Sequence, residues 1–389
     1  MQKLIFKLKY LLFQFTWIII LLPKGLQMIL LAGMAVILLP KLKKTTRVDK
    51  VTFFFTLFIA IYICSFLMNL FVGDYSISRI FATINSISIW VVGLVYFSAY
   101  SNNKVDKFEI MRYCFVNLSI LIIFSLLYLL LPGNIIVFGD RSLKGVDWIN
   151  GLRTTRFTSF MEYPNLIVFF CLLQVPMAIN YVEARYNKLL SLFFLWLTFL
   201  PIYQSGSRAG MAIAILLIVY FSLYSTIKKD FLSILTILFC GIAIIYLFGN
   251  SENISNLVNS ILETRSGSTG ARSELYRQSI ERTLTISPLF GLGIRDLFMS
   301  TVPYGSHSTY IGIFYRTGLV GFLLFMISMG NLVFHLWQRI NLKLIEKLYL
   351  IGLFSFMVIE DLDGANWVIV LFFSIMAIYQ NKQVYHAKL

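Results

Sequence analysis

Charge is what this 389-residue chain has least of. Only 13% of its residues are charged and 18 are acidic, against 58% hydrophobic, and its mean hydropathy is +0.80. Soluble domains average about 25% charged and roughly 45–50% apolar residues. A chain with half that charge lacks the polar coat of a soluble fold, which excludes a soluble enzyme and a disordered protein. Cysteine is scarce as well. Cys64, Cys114, Cys171 and Cys240 all fall in apolar runs without metal-ligand or redox spacing. The chain is therefore no disulfide scaffold, and the four read as small core residues. What it holds in quantity is long apolar sequence. It reads as an integral membrane protein.

A helix crosses a bilayer in about 20 apolar residues. Up to twelve stretches qualify, at roughly 8–22, 25–40, 51–72, 79–99, 109–131, 159–180, 187–203, 209–227, 231–249, 308–335, 342–360 and 364–381. The first two are short and split by Pro23-Lys24-Gly25, as in a tight helical hairpin. Lys3, Lys7 and Lys9 precede the first, and no small-residue cleavage site follows, so an uncleaved helix is expected rather than a secretory signal. The predicted class is an all-α polytopic membrane protein forming one integral membrane domain over 1–389. Two stretches break the pattern: 132–158, rich in glycine and charge, and 250–306, polar and rich in Gly and Ser.

The net charge is +15, from 33 Lys+Arg against 18 Asp+Glu. In a soluble protein that excess points to nucleic acid. Here the charges sit in short breaks between apolar runs, so loop bias and anionic lipid headgroups account for it and no nucleic-acid partner is expected. Lysine and arginine are retained on the cytoplasmic side. An even number of spans with the N-terminus inside puts 20 of them in cytoplasmic segments and 12 in outer ones. Both termini are then cytoplasmic, and both long breaks face outward from a plasma membrane.

The two cations separate by type. Of 18 lysines only Lys24 and Lys144 fall outside, whereas ten of 15 arginines do and Arg316 lies within a span. Orientation bias treats the two residues alike, so it does not produce this split. Arginine presents a planar fork of donors suited to phosphate and carboxylate. Ten outward arginines beside the bilayer suggest an anionic ligand, such as a lipid-linked phosphate or pyrophosphate. Ordinary ion pairs with the outer acids are the alternative.

Three constellations carry the polar sequence. Gln204-Ser205-Gly206-Ser207-Arg208-Ala209-Gly210 opens the 209–227 span; its glycines allow close approach, and amides at a helix N-terminus attract anions. A Ser/Gly cap with a snorkelling arginine is the plainer reading. Arg265-Ser266-Gly267-Ser268-Thr269-Gly270-Ala271-Arg272 puts two arginines on a turn ahead of a short amphipathic surface helix ending near Ile286. Pro288-Leu289-Phe290-Gly291-Leu292-Gly293 leads to Tyr304-Gly305-Ser306-His307-Ser308-Thr309-Tyr310. His307 is the outward histidine, since His335 and His386 fall at or near the cytoplasmic face. A neutral imidazole there can take a proton from a sugar hydroxyl, although a helix cap or interface residue is the commoner role for a lone histidine.

This ordered set resembles the O-antigen ligase and polymerase superfamily of polytopic membrane glycosyltransferases. Members show a Ser-Arg element opening a span, a Gly-Arg element in the large loop, a Pro-Leu-Phe-Gly-x-Gly stretch, a His-polar-x-Tyr segment and a Gly-x-x-Gly span. The matching residues are Ser207-Arg208, the Arg272 turn, Pro288 to Gly293, His307 to Tyr310, and Gly318 with Gly321. Arg156 with Pro164-Asn165 looks like a further family element. Relatives often have Asn where this chain has Ser308, and Arg316 stands where an acidic or uncharged residue is expected.

The resemblance implies a GT-C-like fold whose large extracytoplasmic loop, 250–306, contains short helices. It also implies transfer of a glycan from an undecaprenyl-pyrophosphate carrier to an acceptor hydroxyl at the outer face of the plasma (inner) membrane. A pyrophosphate leaving group needs cations to hold its developing charge, and arginines supply it. Arg208 and Arg272 are the expected clamp, with Arg156 and Arg265 as supports and His307 activating or orienting the acceptor. Tyr304 and Tyr310 are candidates to stack on sugar rings. No metal site and no cofactor are expected, and a chain-length regulator and a flippase are the expected protein partners. Arg316 is a candidate because it is charged within a span. Asp361-Leu362-Asp363, beside Glu360, is formally a D-x-D; on an outer connection it suits acceptor hydrogen bonding or ion pairing with outer arginines better than a nucleotide-sugar metal. A lipid-linked oligosaccharide flippase is the rival of another class, but the charged midplane and internal repeat expected of one are not evident. A glycan ligase with the same donor chemistry is the rival among enzymes, and a polymerase is the first reading.

Overall fold

In the computed structural model the described residues are 10–39, 49–103, 105–131, 136–149, 152–227, 266–298, 302–338, 342–381 and 384–385. They are mostly helical, as the apolar runs require. The helices are α1 Leu11–Gln14, α2 Thr16–Leu21, α3 Lys24–Leu38, α4 Lys50–Leu70, α5 Ile77–Asn102, α6 Lys107–Leu130 and α7 Leu166–Arg185. After these come α8 Lys188–Leu197, α9 Phe199–Gln204, α10 Arg208–Ile227, α11 Ser266–Ile286, α12 Thr309–Trp337, α13 Leu344–Phe356 and α14 Asn366–Gln380. Five of them (α4, α5, α6, α7 and α12) are long and apolar enough to cross a membrane. The helices α3, α10 and α14, and the pair α8–α9, are apolar but shorter. The expected span 231–249 lies outside the described residues.

Three segments differ from the sequence reading. The first expected span is broken at Phe15 (φ −107°, ψ 18°) into α1 and α2. The Thr16 hydroxyl donates to the carbonyls of Leu12 and Phe13 at 2.8 and 3.3 Å, a back-bond that competes with the helix ladder. The 132–158 loop holds strands: β2 (Val137–Phe138) pairs with β3 (Arg141–Ser142), and β4 (Lys144–Ile149) pairs antiparallel with β5 (Leu152–Phe157). Its β-branched and aromatic residues favour that ladder. Third, Arg272 sits inside a helix and not on a turn. Once residues 271–286 form a helix, each preceding residue adds a hydrogen bond as it joins, which offsets a cost of about 1 kcal/mol per glycine.

The chain divides into two compact units, Met1–Ile110 with Arg272–Leu342 and Met357–Leu389, and Met111–Ala271 with Lys343–Phe356. In the first, α12 packs along α4 and α14 along α5. Phe55, Phe58, Trp90, Phe325 and Phe373 interlock edge to face between these helices. Gly93 lets α5 approach α14, since a Cβ there would meet Phe373 and Ile369 at 2.5 and 2.9 Å. Close packing of this kind replaces the hydrophobic effect where lipid surrounds a helix pair.

The connections of this unit gather at its two ends. Lys24 Nζ donates to Gly364 O at 3.1 Å, Asn366 Nδ2 to Lys24 O at 3.0 Å, and Asn69 Nδ2 to Gly291 O at 3.3 Å. At the other end of α4, Gln380 donates to Asp49 at 2.7 Å. Near Gln380, Asn381 donates to the Tyr100 and Asn103 carbonyls at 2.6 Å each. Strand β1 (Val105–Asp106) runs parallel to β6 (Val384–Tyr385). Within this unit, the connections at Lys24, Gly291 and Gly364 lie toward one end, and those at Asp49, Asn103 and Asn381 toward the other.

In the second unit α7 is buried from Leu166 to Val182, packed by α8 and α13. Its polar side chains pair internally: Asn117 donates to Gln174 at 3.1 Å and Asn180 to Glu346 at 2.9 Å. Buried polar groups without water need such partners.

Candidate functional site

Helix α12 is interrupted in its third turn. Gly318 adopts φ 61°, ψ −163°, a region open essentially to glycine alone. The interruption frees backbone groups, and at membrane depth these must be satisfied by protein. The Pro288–Gly293 stretch does so. Leu319 N donates to Pro288 O at 2.9 Å and Val320 N to Leu289 O at 3.1 Å. In return Leu292 N donates to Tyr315 O at 2.8 Å and Gly293 N to Arg316 O at 2.9 Å. Gly291 and Gly293, at φ 71° and 65°, allow backbone to lie on backbone. The two motifs, separated by about two dozen residues, are halves of one joint.

That joint holds the turn before α12. Gly305 (φ 69°) and His307 (φ 62°) are both left-handed, which for histidine is a strained conformation. Ser308 follows as N-cap, its hydroxyl accepting from Ile311 N at 3.3 Å. The Tyr276 hydroxyl, on α11, donates to the His307 carbonyl. Thr309 fastens the opposite side, with Oγ1 donating to Glu360 O at 2.8 Å and accepting from Leu362 N at 2.8 Å. The imidazole Nδ1 lies 3.7 Å from Glu360 Oε1. Glu360 is 2% exposed, and the His307 side chain is 36% exposed.

Behind the histidine lies a buried charge network. Arg316, 1% exposed, donates from Nη1 to Asp363, to Ser86 Oγ at 2.9 Å and to Tyr62 Oη at 3.3 Å, and from Nε to Gly312 O at 2.8 Å. Ser86 and Trp90 donate to the same Asp363 oxygen at 2.8 and 3.3 Å. Arg295 bridges Asp361, at 3.0 Å, and Asp363, at 3.4 Å. Burial pushes the Asp361 carboxyl up to about 6, against the pull of Arg295. Burial acts on Asp363 as well, but Arg316 and then Arg295 outweigh it and hold its carboxyl well below the usual range. Burial likewise raises the Tyr276 phenol to about 12, opposed by Arg272 and reinforced by Glu360 and Asp361.

The first unit therefore brings His307, Arg272, Arg316, Asp361 and Asp363 into one electrostatic neighbourhood. Tyr304 lies in the turn and Tyr310 in the first turn of α12, and each has packing partners. Tyr304 stacks on Tyr315 (5.6 Å, 11°), receives the Arg282 guanidinium at 4.9 Å, and meets the edge of Phe298 at 5.6 Å. Tyr310 is half-buried and meets Phe325 edge-on at 6.2 Å. Tyr276, Arg295, Ser86 and Glu360 were not singled out from sequence. Only the adjacency of Glu360 to the Asp361–Asp363 pair marked any of them.

The second unit holds Arg156 and Arg208. Arg156, on β5, donates from Nε to Ser205 O at 2.6 Å and from Nη2 to Asn165 Oδ1 at 3.1 Å. It thereby ties the starts of α7 and α10 together. Gly206 (φ 62°) makes room, since a Cβ there would lie 3.2 Å from Arg156 Nε. Arg208 is the first residue of α10, behind the Ser205–Ser207 cap. Another arginine, Arg141, forms a partly buried ion pair with Glu162 at 2.8 Å. Arg265 lies outside the described residues.

The O-antigen ligase family model matches residues 193–326. Those residues belong to the O-antigen ligase superfamily. The matched segment contains Arg208, Arg272, Tyr304, His307, Tyr310, Arg316 and both halves of the Gly291–Gly318 joint, and it supports a membrane glycosyltransferase of ligase or polymerase type. Arg156, Glu360, Asp361 and Asp363 fall outside it. No curated protein matches the chain.

Proposed function

We propose that the protein is a polysaccharide polymerase of the cell envelope. It transfers a glycan from an undecaprenyl-pyrophosphate carrier to an acceptor sugar hydroxyl at the outer face of the plasma membrane. The observation that carries this reading is the strained His307, presented at a helix start with Arg272 in its electrostatic neighbourhood. The hydroxyl oxygen bonds to the anomeric carbon while the carbon–oxygen bond to pyrophosphate breaks, its electron pair leaving on the pyrophosphate. The hydroxyl proton passes to the imidazole. Arginine forks balance the leaving charge. Arg272 is assigned that role in the first unit, and Arg208 with Arg156 in the second, from residue type and sequence position. Arg265 is a further support by its sequence position.

The description of the matched family favours a second reading, a ligase that moves finished glycan to a terminal acceptor. One experiment tests both. Arg208→Ala, Arg272→Ala and His307→Ala are made singly in the native host, and surface polysaccharide is resolved on a gel. Loss of polymer with single repeat units still attached is the polymerase outcome; loss of all attached glycan is the ligase outcome. Long chains persisting in all three variants overturn the assignment.

A further inference from the structure

His307 presents its two ring nitrogens to different surroundings. Nδ1 is buried and makes no hydrogen bond among the described residues, while the side chain as a whole is 36% exposed. The exposed part of the ring is therefore the part away from Nδ1, where Nε2 lies. Nδ1 lies 3.7 Å from the Glu360 carboxylate, an ion-pair distance rather than a hydrogen bond. Hydrogen bonds of catalytic groups are often long in an empty site and tighten on substrate. Both partners are held by backbone. Tyr276 holds the His307 carbonyl and Thr309 the Glu360 carbonyl, so neither anchor depends on the side chains that face each other.

The geometry points to Glu360 as the positioning residue of His307: its carboxylate takes the Nδ1 proton side, fixes the neutral imidazole with its proton on Nδ1, and leaves Nε2 as the basic nitrogen. This rests on the glycosyl-transfer reading for its purpose, but the tautomer is a property of the resting protein. In the reaction the acceptor hydroxyl proton goes to Nε2, and the imidazolium so formed is faced by a carboxylate. Among the described residues, the ionisable groups near the pair include Asp361 beside Glu360, and Tyr276 and Arg272 on α11. Of these, Asp361 is engaged by Arg295 and Tyr276 by the His307 carbonyl. Glu360 Oε1 is a carboxylate oxygen in reach of Nδ1. Glu360 acts through the histidine and does not itself touch substrate.

The test is nitrogen NMR of the full chain in detergent, labelled at histidine, with His307→Gln identifying the His307 signals among the three histidines. The wild type is expected to show the Nδ1–H tautomer. Glu360→Met removes the acceptor and shifts the population toward Nε2–H, and polymer made in the native host at equal protein level falls on the order of tenfold. Glu360→Gln keeps an acceptor but no charge, so it retains the tautomer and loses output. If Glu360→Met does not accumulate, Glu360→Gln carries the test: Nε2–H in the wild type, or full output from Glu360→Gln, overturns the assignment. An unchanged tautomer in Glu360→Met, or a changed tautomer with undiminished polymer, overturns it too. Should Arg208→Ala, Arg272→Ala and His307→Ala all still make long chains, the glycosyl-transfer reading fails on its own, and the tautomer measurement stands apart from that result.

Discussion

Gly318 and Gly291 lie main chain to main chain, so that a Cβ on either would overlap the backbone nitrogen of the other. The contact joins the break in α12 to the Pro288–Gly293 stretch and sets where the His307 turn begins. Gly318→Ala meets two penalties, the collision and a φ of 61° with ψ −163°, the second alone costing about 1–3 kcal/mol. The expected outcome is a large drop in the melting temperature of the detergent-purified protein, with little recovered as a monodisperse peak. A melting temperature equal to wild type would show that the joint is looser than its geometry.

Arg316 and Asp363 form a buried pair whose worth depends on both members. Removing one member of a buried pair costs about 3–5 kcal/mol, whereas replacing both with apolar residues of similar volume is often neutral. Arg316→Met should therefore destabilise strongly, since Asp363 keeps only Arg295, Ser86 and Trp90. The double variant Arg316→Met/Asp363→Leu should recover much of the loss. Thermal melts of the two single variants and the double one form a mutant cycle. Additive losses would mean that the pair carries no coupling.

The sequence made the helical membrane class plain, because runs of about 20 apolar residues have few other uses. It also marked His307, Arg208 and Arg272, since charged or titratable residues are rare enough here to stand out. It did not reveal the β4–β5 hairpin, although Asn150-Gly151 between Ile149 and Leu152 is a strong two-residue hairpin signal. The glycine and charge around it masked the alternation of its strands. Nor did it reveal that Pro288–Gly293 and Gly318 are one joint. That pairing is made by backbone groups, which leave no side-chain signature beyond the glycines themselves. The pairing of Glu360 with His307 was hidden for a related reason: it is fixed by the packing of α12 against the 357–365 connection, and no spacing rule encodes that distance. Arg316 shows the reverse. Its charge within a span marked it as a candidate, and its visible partners turned out to be internal.

Asp361 makes stability depend on pH in a direction opposite to that of most ion-paired carboxylates. Its folded-state value of about 6 lies above the ordinary 3.8, because burial outweighs Arg295. Between those values the native state binds more protons than the unfolded state, so this group's contribution to stability falls as pH rises from about 4 to about 6 and is flat above. Asp361→Asn removes that slope. The measurement is the melting temperature of wild type minus that of Asp361→Asn across this range, expected to decline with pH. A difference that rises would mean that Arg295 dominates the site.

Tyr276 tests whether the strain at His307 is held from the loop helix. Its hydroxyl is the group on α11 that reaches the His307 carbonyl, and Arg272 lies within electrostatic range of it. Tyr276→Phe keeps the ring and removes the donor, leaving the half-buried carbonyl without that bond. A lost hydrogen bond of this kind costs about 1–3 kcal/mol, comparable to the cost of holding a histidine at φ 62°. Without it the turn can relax toward an unstrained φ, which would carry the imidazole away from Glu360. The variant should accumulate at near wild-type levels, melt a few degrees lower, and make less surface polymer than its abundance predicts. Polymer in proportion to protein would show that Ser308 and Thr309 hold the turn without help from α11.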